Sequence, residues 1–173
     1  MLVYLQMIET EEDQLRFDKM YRQYRKLLKY IAKGILQNEE DAEDVTHQVF
    51  LKIAENMDLI SEPVCPATKC LLVTMVENKS INVYHYKTRH QHVPFDEEYV
   101  GIQVEYMGDS VLAECLAQLP AKYREIIIMK YEINLSNKEI AKLLGTNEVN
   151  VRKLEQRARD RLQPLCEKEG LLK

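Results

Sequence analysis

Two long stretches of this chain carry apolar residues at every third or fourth position, and a short acidic stretch without that period stands between them. This constrains the fold most, because a 3.6-residue period suits an α-helix with one buried stripe and does not suit a strand. Met20, Tyr24, Leu27, Ile31 and Ile35 recur at steps of four, three, four and four, so residues 10–36 are predicted to form one helix. Thr10 and Asp13 stand at capping-box spacing at its start. Gln37 to Glu40 reads as a polar turn. A second helix follows over 41–56, with Ala42, Val45, Val49 and Ile53 turned inward. Pro63 and Pro66 mark 58–68 as a loop. A third helix over 69–86 directs Leu72, Val76, Val83 and Ile81 at its core.

The period stops between Pro94 and Asp109. Asp96, Glu97, Glu98, Glu105 and Asp109 are offset by no Lys or Arg, and Gly101 and Gly108 loosen the backbone. The stretch reads as an acidic linker; a strand over 100–106 would have no partner nearby. Helical spacing returns at Val111. Leu112, Leu116 and Leu119 share a face that ends at Pro120, and Arg124 to Tyr131 is a strongly apolar helix. Ser136 and Glu139 form a capping box that opens a helix through Leu144, Gly145 makes a tight turn, and Asn147 caps a last helix to about Leu165. The predicted fold is all-α: two small helical domains, 1–93 and 110–173, joined by an acidic linker at 94–109, with a helix-turn-helix in the C-terminal domain. Each domain is under 100 residues, so each core is marginal.

No apolar run reaches the roughly 18 residues of a membrane span. Met1 to Thr10 has no basic start and no small-residue cleavage pattern, so no secretory leader is expected. Four Cys in 173 residues are too few for a disulfide scaffold, which favours reduced thiols and a cytoplasmic setting. Cys65 and Cys70, with His85, His90 and His92 further on, lack the patterned spacing of zinc ligands. No Gly-rich phosphate loop or nucleophile elbow is present. No catalytic activity, cofactor or metal is therefore expected.

Charge separates the two halves. Residues 1–109 hold 12 Lys or Arg against 19 Asp or Glu, whereas residues 110–173 hold 12 against 9. The excess of cations concentrates between Arg152 and Arg161, where five basic residues meet two acidic ones. Ile140, Ala141, Leu144, Gly145 and Val151 have helix-turn-helix spacing. At about 100° per residue, Val151, Leu154, Ala158 and Leu162 make the inner stripe of the last helix. Val149, Arg152, Lys153, Gln156 and Arg157 then lie on the opposite face. Arg and Lys can hold guanine edges or phosphates, Gln can pair with adenine, and Val149 can meet a thymine methyl. Such a face is predicted to lie in a DNA major groove. The blander reading is a solvated basic face, and it applies most to Arg159 and Arg161.

The strings LAQLPAKYREIIIMKY and LSNKEIAKLLGTNEVNVRKLEQRARDRL, within residues 111–163, resemble region 4 of bacterial RNA polymerase sigma factors. FDKMYRQYRKLLKYIA followed by EEDAEDVTHQVFLKI resembles region 2, with Ala42-Glu43-Asp44 and Phe50 as a tight local match. Two regions in this order resemble the small extracytoplasmic-function type. The resemblance implies a promoter-specificity subunit with three contacts. Asp44, His47, Gln48 and Lys52 would dock on the beta-prime coiled coil of polymerase core, and the beta flap would be a further contact. Asn78, Asn82, His85, Tyr86, Lys87 and Arg89, with Tyr84 among them, would hold unstacked bases of the −10 element. Asn147, Val149, Asn150, Arg152, Lys153, Gln156 and Arg157 would grip the −35 element. The acidic linker would thread toward the RNA path of the polymerase, and an anti-sigma protein could cover the surfaces that meet core. The sequence departs from the family pattern at His47, where Gln is usual, at Glu77 (a basic residue), at Asn82 (Asp) and at His85 (Arg). Two other readings compete: a helix-turn-helix regulator that binds duplex DNA alone, and a helical protein-interaction module.

Overall fold

The computed structural model describes residues 2–88 and 111–171 of the 173-residue chain. The chain divides into two units, Met1–Phe95 and Asp96–Lys173. Among the described residues the regular structure is helical throughout, with no strand. The predicted linker at 94–109 and the strand considered at 100–106 lie outside them.

The first unit contains α1 (Leu2–Leu5), α2 (Glu11–Leu36), α3 (Glu39–Ala54), a 3₁₀ turn (Met57–Leu59) and α4 (Pro66–Thr88). Thr10 caps α2 by accepting from the Asp13 amide at 3.1 Å. The cap is not the reciprocal box that the spacing suggested. The Asp13 carboxylate instead accepts from the Thr10 hydroxyl at 2.9 Å and pairs with Arg16, and Arg16 also donates to the carbonyls of Ile60 and Ser61. The stripe of α2 is Phe17, Met20, Tyr24, Leu28, Ile31 and Ala32. Leu27 and Ile35 flank it half-buried rather than filling it, because Leu28 and Ala32 continue the row one position later. Ala42, Val45, Val49 and Ile53 of α3 are buried as expected, together with Phe50.

The third helix begins at Pro66, inside the predicted loop. Proline is tolerated in the first turn of a helix, where its missing N–H has no partner to lose. The Cys65 sulfur accepts from the Thr68 amide at 3.4 Å, and the Thr68 hydroxyl donates to the Glu62 carbonyl at 2.6 Å. Every residue from Cys70 to Glu77 is buried, in the part of the unit where α4 packs on both α2 and α3. Its interior is wider than the single face predicted. Val83 and Ile81, in the second half, are only half-buried.

The second unit contains α5 (Val111–Ala117), α6 (Ala121–Ile127) running into a π-helical turn (Ile128–Glu132), α7 (Asn137–Leu144) and α8 (Glu148–Lys168). Leu112 is 45% exposed, contrary to expectation; Ala113, Cys115, Leu116 and Leu119 face inward. Pro120 is the N-cap of α6, so that helix starts before Arg124. The π turn passes bonds from the Ile133 amide to the Ile128 carbonyl and from Leu135 to Met129, at 3.0 and 2.9 Å. Leu116, Leu119, Tyr123, Ile127 and Ala158 form one core, flanked by Leu154, Leu162 and Leu165. Side chains of this size contribute about 1.5–3 kcal/mol each on full burial.

Candidate nucleic-acid interface

The segment formed by α7, the turn after it and the start of α8 is built from three sequence signals. The Ser136 hydroxyl accepts from the Glu139 amide at 3.3 Å, and the Glu139 carboxylate accepts from the Ser136 amide at 2.7 Å. Hydrogen bonding from Ser136, its side chain first and its backbone second, holds the Glu139 carboxyl below its ordinary range. Gly145 takes φ 63°, and a Cβ built there would meet nothing within 4 Å. Glycine is needed for the backbone angle alone. Asn147 caps α8 by accepting from the Asn150 amide at 2.9 Å, while the Asn150 side chain donates to the Thr146 hydroxyl at 3.1 Å. Ile140, Ala141 and Leu143 are buried between the two helices, and Leu144, predicted as core, is half-buried. Val151 and Ala158 are fully buried, with Leu154 and Leu162 half-buried beside them.

Asn147, Val149, Asn150, Arg152, Lys153, Gln156 and Arg157 are all exposed on α8. They do not all have the same freedom. Asn147 and Asn150 are committed to the cap. Arg152 lies 3.6 Å from Glu148, an exposed pair worth about 0–1 kcal/mol. Gln156 donates to Asp160 at 2.8 Å. The remaining cations are occupied differently. Arg161 lies over the Tyr123 ring at 5.1 Å, as does Lys122 at 5.0 Å, and Arg159 lies over Tyr131 at 6.0 Å. The Tyr131 hydroxyl donates to Glu155 at 2.9 Å. Arg159 and Arg161 therefore fasten α8 to its own unit, and Arg152, Lys153 and Arg157 are the cations of the outward face.

On α4, a 100° advance per residue puts Asn78, Asn82, His85 and Tyr86 on one side and Lys87 on the other. Asn82 and Tyr86 are exposed, Asn78 and His85 half-buried. The Tyr84 and His85 rings lie 5.7 Å apart. Lys87 reaches both carboxylate oxygens of Asp41, on α3, at 2.6 Å. Arg89 lies outside the described residues. Glu77 is fully buried, so this departure from the family pattern changes the interior of the unit and not its outer face.

On α3, Asp44, His47 and Gln48 are exposed and Lys52 is half-buried, 3.5 Å from Glu55. These residues share one outer stripe. Beside it runs a groove of about 510 Å³, lined by Tyr4, Tyr21, Arg25, Asp44, His47 and Phe50 among others. Arg25 lies over the Tyr21 ring at 5.6 Å, so one lip carries cations from α2 and the other carries Glu43 and Asp44 from α3. Tyr4 closes the groove from α1: its phenol hydrogen-bonds His47 Nδ1, and its ring packs 5.3 Å from Phe17. Burial, and secondarily Tyr21, pushes the Tyr4 phenol up to about 12. The sequence reading missed α1 and Tyr4. The signal was Tyr4 and Ile8 four positions apart, too brief for a period to register.

Comparison with known proteins places both units. Residues 20–90 match the family described as Sigma-70 region 2, and residues 110–162 match Sigma-70, region 4. No curated protein matches the chain. Among solved structures, the sigma factor RpoE of Bartonella quintana, in complex with the anti-sigma factor NepR, is 20% identical with a TM-score of 0.42; the match covers 87% of this chain and 96% of that one. Among the described residues no helix is long and apolar enough to cross a membrane. The two family matches together span well over half of the chain, in the order region 2 then region 4, and the chain belongs to the sigma-70 family.

Proposed function

We propose that this protein is a sigma factor of the small two-region, extracytoplasmic-function type, which binds RNA polymerase core and directs it to promoters without chemistry of its own. The observation that carries the reading is α8. A capped helix follows a left-handed glycine turn and holds Arg152, Lys153, Gln156 and Arg157 away from a buried stripe. That is the geometry of a helix entering a major groove. In this reading α8 grips the −35 element. The face of α4 carrying Asn78, Asn82, His85 and Tyr86 receives unstacked bases of the −10 element, with amides for hydrogen bonds and an exposed ring for stacking. Lys87 contributes there only after leaving Asp41.

Core docking falls to the α3 stripe of Asp44, His47, Gln48 and Lys52, which would meet the beta-prime coiled coil, with the beta flap as a second contact for the other unit. The division into domains 1–93 and 110–173 with an acidic linker serves the same reading, the linker being drawn toward a basic RNA path. An anti-sigma protein would act by covering the α3 stripe.

The test mixes the purified chain with polymerase core and scores open-complex formation on promoter DNA. Stable core binding with strand opening supports the proposal. Tight duplex binding without core would instead make it a stand-alone regulator, and neither activity would leave a helical interaction module. Asp44→Ala is expected to weaken core binding while leaving helical content unchanged, because the side chain is exposed.

A further inference from the structure

The second unit holds a pair of thiols that the DNA-facing surface does not use. Cys115, on α5, is fully buried, and Cys166, in the last turn of α8, is 5% exposed. They lie far apart in sequence and on different helices, yet α5 packs on α8, and Cys166 is a neighbour that acts on the Cys115 thiol. Both are free. Their chain neighbours Leu116 and Leu165 lie in the core of the unit and against it, and Glu114 and Glu169 are the charges that act on Cys115. Burial pushes the Cys115 thiol up, so little thiolate is present at rest.

The way in is through α8. Pro164 lies inside that helix, two residues before Cys166. It has no N–H to give the Asp160 carbonyl, so the ladder is interrupted there. The turn beyond it can open as a small local unit while the core stays closed.

We propose that Cys115 and Cys166 form a dithiol site that low-molecular-weight disulfides oxidise to an intramolecular disulfide, fastening α5 to the end of α8. Cys166, the more accessible, loses its proton, attacks one sulfur of the oxidant and releases the first thiolate. Cys115 then loses its proton and attacks the Cys166 sulfur, and the oxidant's second thiolate leaves. The two cysteines give up two electrons and two protons in all, and one disulfide is reduced to two thiols. The new bond closes a loop that contains α6, α7 and most of α8, so it restricts the unfolded chain around the whole helix-turn-helix. The oxidised form keeps the DNA-reading element folded where the reduced form would begin to melt. This chemistry stands independently of promoter binding.

The full chain is incubated with oxidised glutathione in native buffer, alkylated, digested without reductant and mapped by mass spectrometry. The expected result is a linked peptide joining Cys115 to Cys166, loss of two hydrogens from the intact mass, and a rise of several degrees in the melting of the second unit that dithiothreitol reverses. A chain carrying C65S and C70S should give the same result, and C166S should give no link. Linkage confined to Cys65 or Cys70, glutathione remaining on Cys166 with no Cys115 bond, or a link that leaves melting unchanged would overturn the proposal. The mapping on the unaltered chain decides even if C166S fails to fold.

Discussion

Arg152 and Arg161 carry the same charge on the same helix, yet their surroundings assign them different work. Arg152 points outward with only an exposed Glu148 nearby, whereas Arg161 covers the Tyr123 ring. Arg152→Ala is expected to cost about 1–3 kcal/mol of duplex affinity and to relax preference at one base pair, measured on promoter fragments in complex with core. Arg161→Ala is expected to leave base preference alone and lower the melting temperature of the second unit. A second residue-scale outcome concerns Glu39, in the first turn of α3. Lys33 at 2.5 Å and Lys29 at 2.9 Å pull its carboxyl down to about 2. A depressed carboxyl stabilises the fold above its ordinary value of 4.5 and loses that contribution as pH falls toward 2. Carboxyl-carbon NMR should show a midpoint near 2, moving upward in Lys33→Ala. The pair is exposed, so its share of stability is small.

Elements were legible where local chemistry decides them. Ser136 with Glu139, Gly145 and Asn147 each predicted a cap or turn that depends on a few neighbouring atoms, and each does that work. Gly145→Ala is expected to cost about 1–2 kcal/mol from the left-handed angle alone, since space is open there, and urea melts of the second unit would measure it. Legibility failed where tertiary context decides. The all-round burial of Cys70–Glu77 goes with the packing of α4 on both α2 and α3, and a single-face pattern does not encode it. Leu112 keeps the helical step but falls outside the packed region. The outer faces of α3 and α8 were readable as polar stripes. The pairing of Lys87 with Asp41 and of Arg161 with Tyr123 was not, because those partners are distant in sequence. The predicted loop hid the start of α4 because Pro66 breaks a helix interior but suits its first turn.

At the scale of the whole molecule, each unit has its own buried core, around Phe17, Phe50 and Leu72 in one and around Leu119, Tyr123 and Ala158 in the other. Stability is therefore expected to report twice rather than once. Phe50→Ala, at a fully buried position, should cost the first unit about 3–5 kcal/mol and leave the second unchanged. Amide exchange resolved by unit would detect it, and a common shift in both would contradict it. The bond between Lys87 and Asp41 has a mechanical consequence at this scale. It ties the last turn of α4 to the opening turn of α3. Fraying of the last turn of α4 therefore also has to open this exposed pair, which adds about 0–1 kcal/mol against it and steadies the end of the face that carries Asn82 and Tyr86.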